Sequence, residues 1–250
     1  VSYSKTFETT PGINFSLTAT HSQNTNTGEI NMTLPTLQAS VDRIYPFAPA
    51  GGSKRGIIQN INLQYNLRAE NRSKTTDELF FQPKMFQDAI LGAQHSIPLA
   101  TNFKILKYFS VSASTNFEEN WVFKTYEKSF DQATNAVITD TISGFDAYRT
   151  YNFNTSIGTT LYGRKDFSKD SKIQAIRHVM RPSISYGINP AFDQYYDTYE
   201  RTSLTDGVTE LVEYSRFTGT LYGAPNQNYS SSIGLSISNT LEAKVRDKDS

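Results

Sequence analysis

The sequence predicts an all-β fold, an antiparallel transmembrane β-barrel segment of about eight to ten long, meandering strands, with one short loop helix. Three observations predict it. Apolar and polar residues alternate with period two over most of the chain, as in YNFNTSIGTTLYG (Tyr151–Gly163), where Tyr151, Phe153, Thr155, Ile157, Thr159 and Leu161 oppose a fully hydrophilic set. The hydrophobic fraction is 37%, low for a soluble core, yet aromatics reach 13%, with 15 Tyr and 16 Phe. No apolar run approaches the ~20 residues of a membrane helix, and a barrel needs none because its strands alternate lipid-facing with lumen-facing residues.

The elements follow in order. Ile13, Phe15 and Leu17 open one face, and the turn NTNTGE (Asn24–Glu29) follows. The return strand places its apolar residues at Ile30, Met32 and Leu34, then at Leu37, Ala39 and Val41, a change of phase across Pro35 that predicts a bulge. RIYPF carries Tyr45 and Phe47 as rim aromatics. Ile57, Ile61, Leu63, Tyr65 and Leu67 predict the next strand. In TDELFFQPKMFQDAILGAQ the spacing of Leu79, Met85, Phe86 and Ile90 predicts a short amphipathic helix after Pro83, in a loop near residues 76–92. That loop serves as a plain connection or as a docking surface.

Beyond it, Phe109, Val111, Ala113 and Phe117 form a face whose rim falls near Phe117–Trp121, because Glu119 would otherwise be aimed at lipid. Phe153 and Ile157, then Ile184, Tyr186 and Ile188, then Phe217 and Leu221, then Leu235 and Ile237 continue the series. The expected lipid-facing set is therefore Ile13, Phe15, Leu17, Ile61, Leu63, Leu67, Val111, Phe153, Ile157, Leu235 and Ile237. Tyr45, Phe47, Phe109, Trp121, Tyr162 and Tyr222 are the expected interfacial aromatics, the last two from an echo between SIGTTLYG and FTGTLYG. Pro35, Pro98 and Pro182 are expected at strand bulges.

The chemistry-bearing residues argue against an enzyme. There is no cysteine, and His21, His95 and His178 have no ligand-type neighbours at metal-binding spacing. Glu118 and Glu119 point to opposite faces of a strand and cannot flank one substrate. GGSKRG (Gly51–Gly56) lacks the spacing of a phosphate loop. FDQYYDTYER (Phe192–Arg201) reads as an extramembrane loop, with a divalent-ion or sugar contact as the alternative. No catalytic residue, metal or cofactor is expected. With 24 basic and 24 acidic side chains, nothing favours nucleic acid as partner.

Several stretches taken in order resemble one family. HSQNTNTGEINMTLPTL, RIYPF, AQHSIPLATNFKILKYFSVSAS, KIQAIRHVMRPSISYGINPAFDQYYDTY and LYGAPNQNYSSSIGLSISNTLEAKVRDKD are similar to the barrel of the LptD family in its Bacteroidetes-type branch. The resemblance implies a structural transport component of the outer-membrane lipopolysaccharide translocon of a Gram-negative bacterium, moving lipopolysaccharide to the outer leaflet. It implies lipopolysaccharide and membrane lipids as partners, periplasmic Lpt bridge components, and leaves an LptE-like plug lipoprotein open. Residues 1–250 are then part of a single outer-membrane barrel domain, an arc of a larger barrel. The chain opens VSYSKTF and ends in a strand and charged turn, as a segment of a longer protein would. Two other readings stay in play: a different outer-membrane barrel (a porin or plugged nutrient receptor) and a soluble glycan-binding β-sandwich.

Overall fold

The computed structural model describes residues 1–51, 53–168, 171–202 and 207–246. Its main body is one antiparallel sheet. The strands are β1 (Ser2–Phe7), β2 (Ile13–Asn24), β3 (Glu29–Ile44), β4 (Asn62–Thr76), β5 (Ile90–Ile105), β6 (Phe109–Asp131), β7 (Ala136–Gly158), β8 (Leu161–Asp166), β9 (Ile173–Asn189) and β12 (Ser230–Val245). Consecutive strands pair from β1 to β7; β9 then pairs with β7 and with β8, which continues β7 past a break at Thr159–Thr160, and β12 pairs with β9. A two-stranded hairpin, β10 (Tyr196–Thr202) and β11 (Thr209–Ser215), stands apart within the connection from β9 to β12. The sheet is not closed: β1 pairs only with β2, and β12 only with β9.

The strands are long because the alternating pattern is unbroken. β6 and β7 each run 23 residues, about twice the ~9–11 that cross a bilayer at the usual tilt. The meander sorts the connections onto two ends. Those after Asn24, Thr76, Asp131 and Asn189 lie at one end, and those after Phe7, Ile44, Ile105 and Asp166 at the other.

The phase change at Pro35 has a direct structural counterpart. Thr33–Thr36 of β3 stands opposite Thr18–Thr20 of β2 and Glu70–Arg72 of β4, so β3 carries one extra residue on both sides. The bulge moves the apolar residues from odd positions (Leu37, Ala39, Val41) to even ones (Met32, Ile30) while keeping them on one face. Pro98 and Pro182 differ from Pro35. Both lie in constant register, so neither marks a bulge. Pro98 sits at a gap in the β4–β5 ladder while its β6 side stays paired with Asn116. Pro182 sits where β7 gives way to β8, its carbonyl accepting the Thr159 N–H at 3.1 Å. A proline without an N–H interrupts a ladder without adding a residue.

Three other expectations need correction. Ile57 lies on a one-turn helix, α1 (Gly56–Gln59), and Ile61 just precedes β4. The helix in the β4–β5 loop, α2 (Pro83–Asp88), is six residues long, and Ile90 already belongs to β5. Phe217–Leu221 is not a strand but a run of turns, whose carbonyls are satisfied locally by Thr218 N–H to Ser215 and Thr220 N–H to Phe217, both at 3.0 Å.

Candidate functional site

The register assigns every strand residue to one of two faces. One face runs Phe15–Ala39–Leu67–His95 across β2 to β5, and Val111–Ile157–Ile184–Leu235 across β6, β7, β9 and β12. Ile13, Leu17, Leu63, Phe153 and Ile237 share it through their own partners. Of the strand residues in the expected lipid-facing set, all fall on this face. Its aromatic decoration includes Phe109 and Trp121, and Tyr45 and Phe47 follow β3; Tyr162, expected with them, pairs with Val179 and so lies on the opposite face of β8, where Leu161 takes the apolar side.

A polar row crosses this apolar face. His95, Glu119 and Arg149 are successive cross-strand partners. Arg149 Nε donates to Glu119 Oε2 at 3.0 Å, Trp121 Nε1 donates to Glu119 Oε1 at 2.9 Å, and Tyr65 Oη lies 2.7 Å from His95 Nδ1. The His95 and Trp121 rings lie 4.2 Å apart at a tilt of 52°, and Trp121 meets Phe145 edge-on at 5.7 Å. Glu119 is thus fully partnered, which removes most of the cost of a carboxylate on an apolar surface. Glu118 faces the other way, accepting from Asn116 at 2.7 Å.

The opposite face is hydrophilic and has two textures. Over β6, β7, β9 and β12 it is a small hydroxyl surface: Ser112 and Ser156 share a hydrogen bond at 2.7 Å, Ser185 opposes Gly234, and Ser183 opposes Ser236. On the apolar side of β9 and β12, by contrast, the His178 ring Nε2 meets Asn239 Oδ1 at 3.0 Å, a polar pair within that face. Over β2 to β5 the polar face carries larger groups, and a groove of about 510 Å³ lies between Asn14, Gln38, Arg68 and Gln94. Glu70 is buried there, ion-paired to both Arg68 and Arg72.

The connection from β9 to β12 folds back onto this polar face. Phe217, 0% exposed, inserts against Tyr148 (rings 4.6 Å apart) and Val122, with the half-buried Tyr195 packed beside them. Tyr148 Oη donates to the Gly223 carbonyl at 2.8 Å, and Arg216 Nε pairs with Asp146 at 2.8 Å. Tyr222 was expected at a membrane rim; it reaches instead across the polar face to donate to the Arg68 carbonyl at 2.9 Å. Burial, with the Glu70 carboxylate nearby, pushes its hydroxyl up to about 12, so it stays protonated as a donor. Gly92 makes this approach possible: a Cβ there would lie 3.0 Å from the Trp121 carbonyl and 3.1 Å from the Tyr222 ring. Gly219, at φ +95, packs its turn flat against Tyr126. A hollow of about 410 Å³ remains between this segment and the wall, bordered by Glu118, Asn152, Asn189 and Asn226.

The sequence pattern missed this covering segment. FTGTLYG alternates as a strand does, yet Gly219, Gly223 and Pro225 within ten residues were the available signal for irregular chain. FDQYYDTYER supplies the segment's other half: Phe192 is buried, and Tyr195 Oη accepts the Arg149 N–H at the exposed edge of β7.

Among the described residues no group of three or more His, Cys, Asp or Glu side chains could hold a metal, and no helix is long and apolar enough to cross a membrane. No curated protein and no solved structure matches the chain. The family model described as LptD protein matches residues 1–250. With an all-β antiparallel sheet that segregates an apolar face from a polar one along the same residues, the chain belongs to the LptD family, whose role is lipopolysaccharide transport at the outer membrane.

Proposed function

We propose that this chain forms part of the wall of an outer-membrane lipopolysaccharide translocon, with the apolar face in lipid and the polar face lining a hydrated passage. The observation that carries the reading is the register: one alternation, adjusted at bulges of which the one at Thr33–Thr36 is central, puts the apolar set on one face of the sheet and both the hydroxyl surface and the covering segment on the other. A soluble sandwich would bury the apolar face against a second sheet, whereas Leu235 here is 73% exposed and Ile157 39%.

In a bilayer the two edges of the sheet need partners, since each unpaired backbone group in hydrocarbon costs several kcal/mol. We therefore read β1 and β12 as pairing with strands outside these residues, in a barrel larger than this arc. Barrels of this class carry short turns on the periplasmic side and longer loops outside the cell. By that rule the end bearing the β6–β7 hairpin and the β9–β12 connection faces the exterior. Glu119, with His95, Arg149 and Trp121 beside it, stands ten residues along β6 from Phe109, about the ~9–11 residues that cross a bilayer, and so fits the outer headgroup level. Lipopolysaccharide presents anionic, hydroxyl-rich sugars, which the Ser, Asn, Gln and Arg lining suits. Its delivery from periplasmic bridge components, with or without a plug lipoprotein, belongs to this reading.

Depletion of the full-length protein tests it. Newly made lipopolysaccharide is expected to accumulate at the inner membrane, and the purified protein is expected to conduct poorly in planar bilayers. Normal surface lipopolysaccharide on depletion, with open-pore conductance, would instead assign the chain to passive uptake.

A further inference from the structure

The β4–β5 connection does something that a plain loop need not do. Its residues 77–89 fold back over the apolar face of the sheet rather than over the polar one. Met85 is buried against Ile30 and Met32, and the Ser73 hydroxyl donates to the Met85 carbonyl. Ile30 and Met32 oppose Thr75 and Ser73, which lie on the same side of β4 as Leu67 and Ala69. The Lys124 ammonium, reaching from β6, donates to the carbonyls of Gln87 and Ala89 and holds the far end of α2.

While Met85 pins the loop inward, three phenylalanines are turned away from the wall. Phe80 is 38% exposed, Phe86 59% and Phe81 67%. They are ordered against one another, Phe80 and Phe81 edge-to-face at 4.5 Å and Phe81 and Phe86 at 6.3 Å. Phe81 adopts φ +58, a left-handed backbone that an aromatic residue takes only against a steric cost. A loop that holds three aromatic rings outward at such a cost, on the side of the wall that continues the apolar face, is built for an amphipathic medium. Aromatic rings are favoured where headgroups meet acyl chains.

We propose that Phe80, Phe81 and Phe86 form a lipid anchor that inserts at the headgroup–acyl boundary beside β3 and β4. The inference rests on the outer-membrane reading above, and the test separates the two. In the full-length protein reconstituted in phospholipid nanodiscs, Phe81→Trp is compared with Ile157→Trp, each after subtraction of the parent's emission. Ile157→Trp reports whether the apolar face meets lipid at all. Phe81→Trp is expected to emit to the blue of free tryptophan and to be quenched by lipids brominated near the carbonyl end of their tails, more than by acrylamide. If Ile157→Trp is not quenched by brominated lipid, the barrel reading fails. If it is quenched but Phe81→Trp responds only to acrylamide, the anchor inference fails alone. Protection of Phe81→Trp from both quenchers would mean a protein covers the rings, and would also overturn it. Phe86→Trp provides the same readout should Phe81→Trp fail to assemble, assembly being scored by heat-modifiable migration.

Discussion

At the scale of single residues, Phe217 fastens the covering segment. Its ring is wholly buried between Tyr148, Val122 and Tyr195, so Phe217→Ala leaves a cavity in a site that cannot collapse onto a rigid sheet. Loss of about 3–5 kcal/mol of docking energy is expected from large-to-small truncation. The measurable result is faster hydrogen exchange and protease nicking confined to the β9–β12 connection, with the strands unaffected. Gly92→Val should have the same local effect from the opposite side, because its branches would meet Tyr222 and the Trp121 carbonyl. At the tip of the β6–β7 hairpin, Asp131 accepts from the Thr134 hydroxyl at 2.7 Å and from the Ala133 N–H at 3.0 Å, and these hold its carboxyl below the usual range. Its folded value is depressed, so the stabilisation is present above the unfolded pKa of ~3.9 and is lost only as pH falls through the lower folded value. Protection at Ala133 and Thr134, taken as exchange relative to the intrinsic rate at each pH, should stay constant from neutral pH and fall only in the acid limb. Asp131→Asn should abolish that step.

At the scale of elements, the two faces of one strand should answer differently to the same charge. Ile157→Arg or Leu235→Arg is expected to cost about 2–4 kcal/mol of membrane assembly where the position lies near the midplane, against nearly nothing for Asn154→Arg or Ser236→Arg. Heat-modifiable folding yield compares the pairs; equal losses would contradict the assignment of faces. This alternation was legible in the sequence because each strand residue sees one of only two environments, and the composition records which. Even the β3 bulge was legible, since Ile30–Met32 and Leu37–Val41 cannot share a face in an unbroken strand. What could not be read was the fate of Phe217 and Tyr222. Their alternation is local and strand-like, but the partners that bury them, Tyr148 and Arg68, lie 69 and 154 residues away, and only the three-dimensional meander brings them near. Glu119 shows the same limit. Its charge was readable, but its neutralisation by Arg149 depends on β6–β7 register.

At the scale of the whole molecule, the open edges of β1 and β12 make the described residues an incomplete wall in lipid. Expressed by themselves, residues 1–250 are expected to give no heat-modifiable, SDS-resistant barrel; a stable closed monomer would refute the arc reading. The covering segment has a further consequence, for the order of assembly. Every strand that holds Phe217, Tyr222 and Arg216 in place, from β4 to β7, precedes the segment in the chain, whereas β12 follows it. The segment can therefore settle on its bed while one flank is still open, and a wall completed later by β12 and its neighbours closes around it. Nothing has to be threaded through a finished ring. Assembly intermediates stalled before closure should already protect Tyr148 and Phe217 from exchange, and variants that weaken this seat should release the segment without preventing the wall from forming.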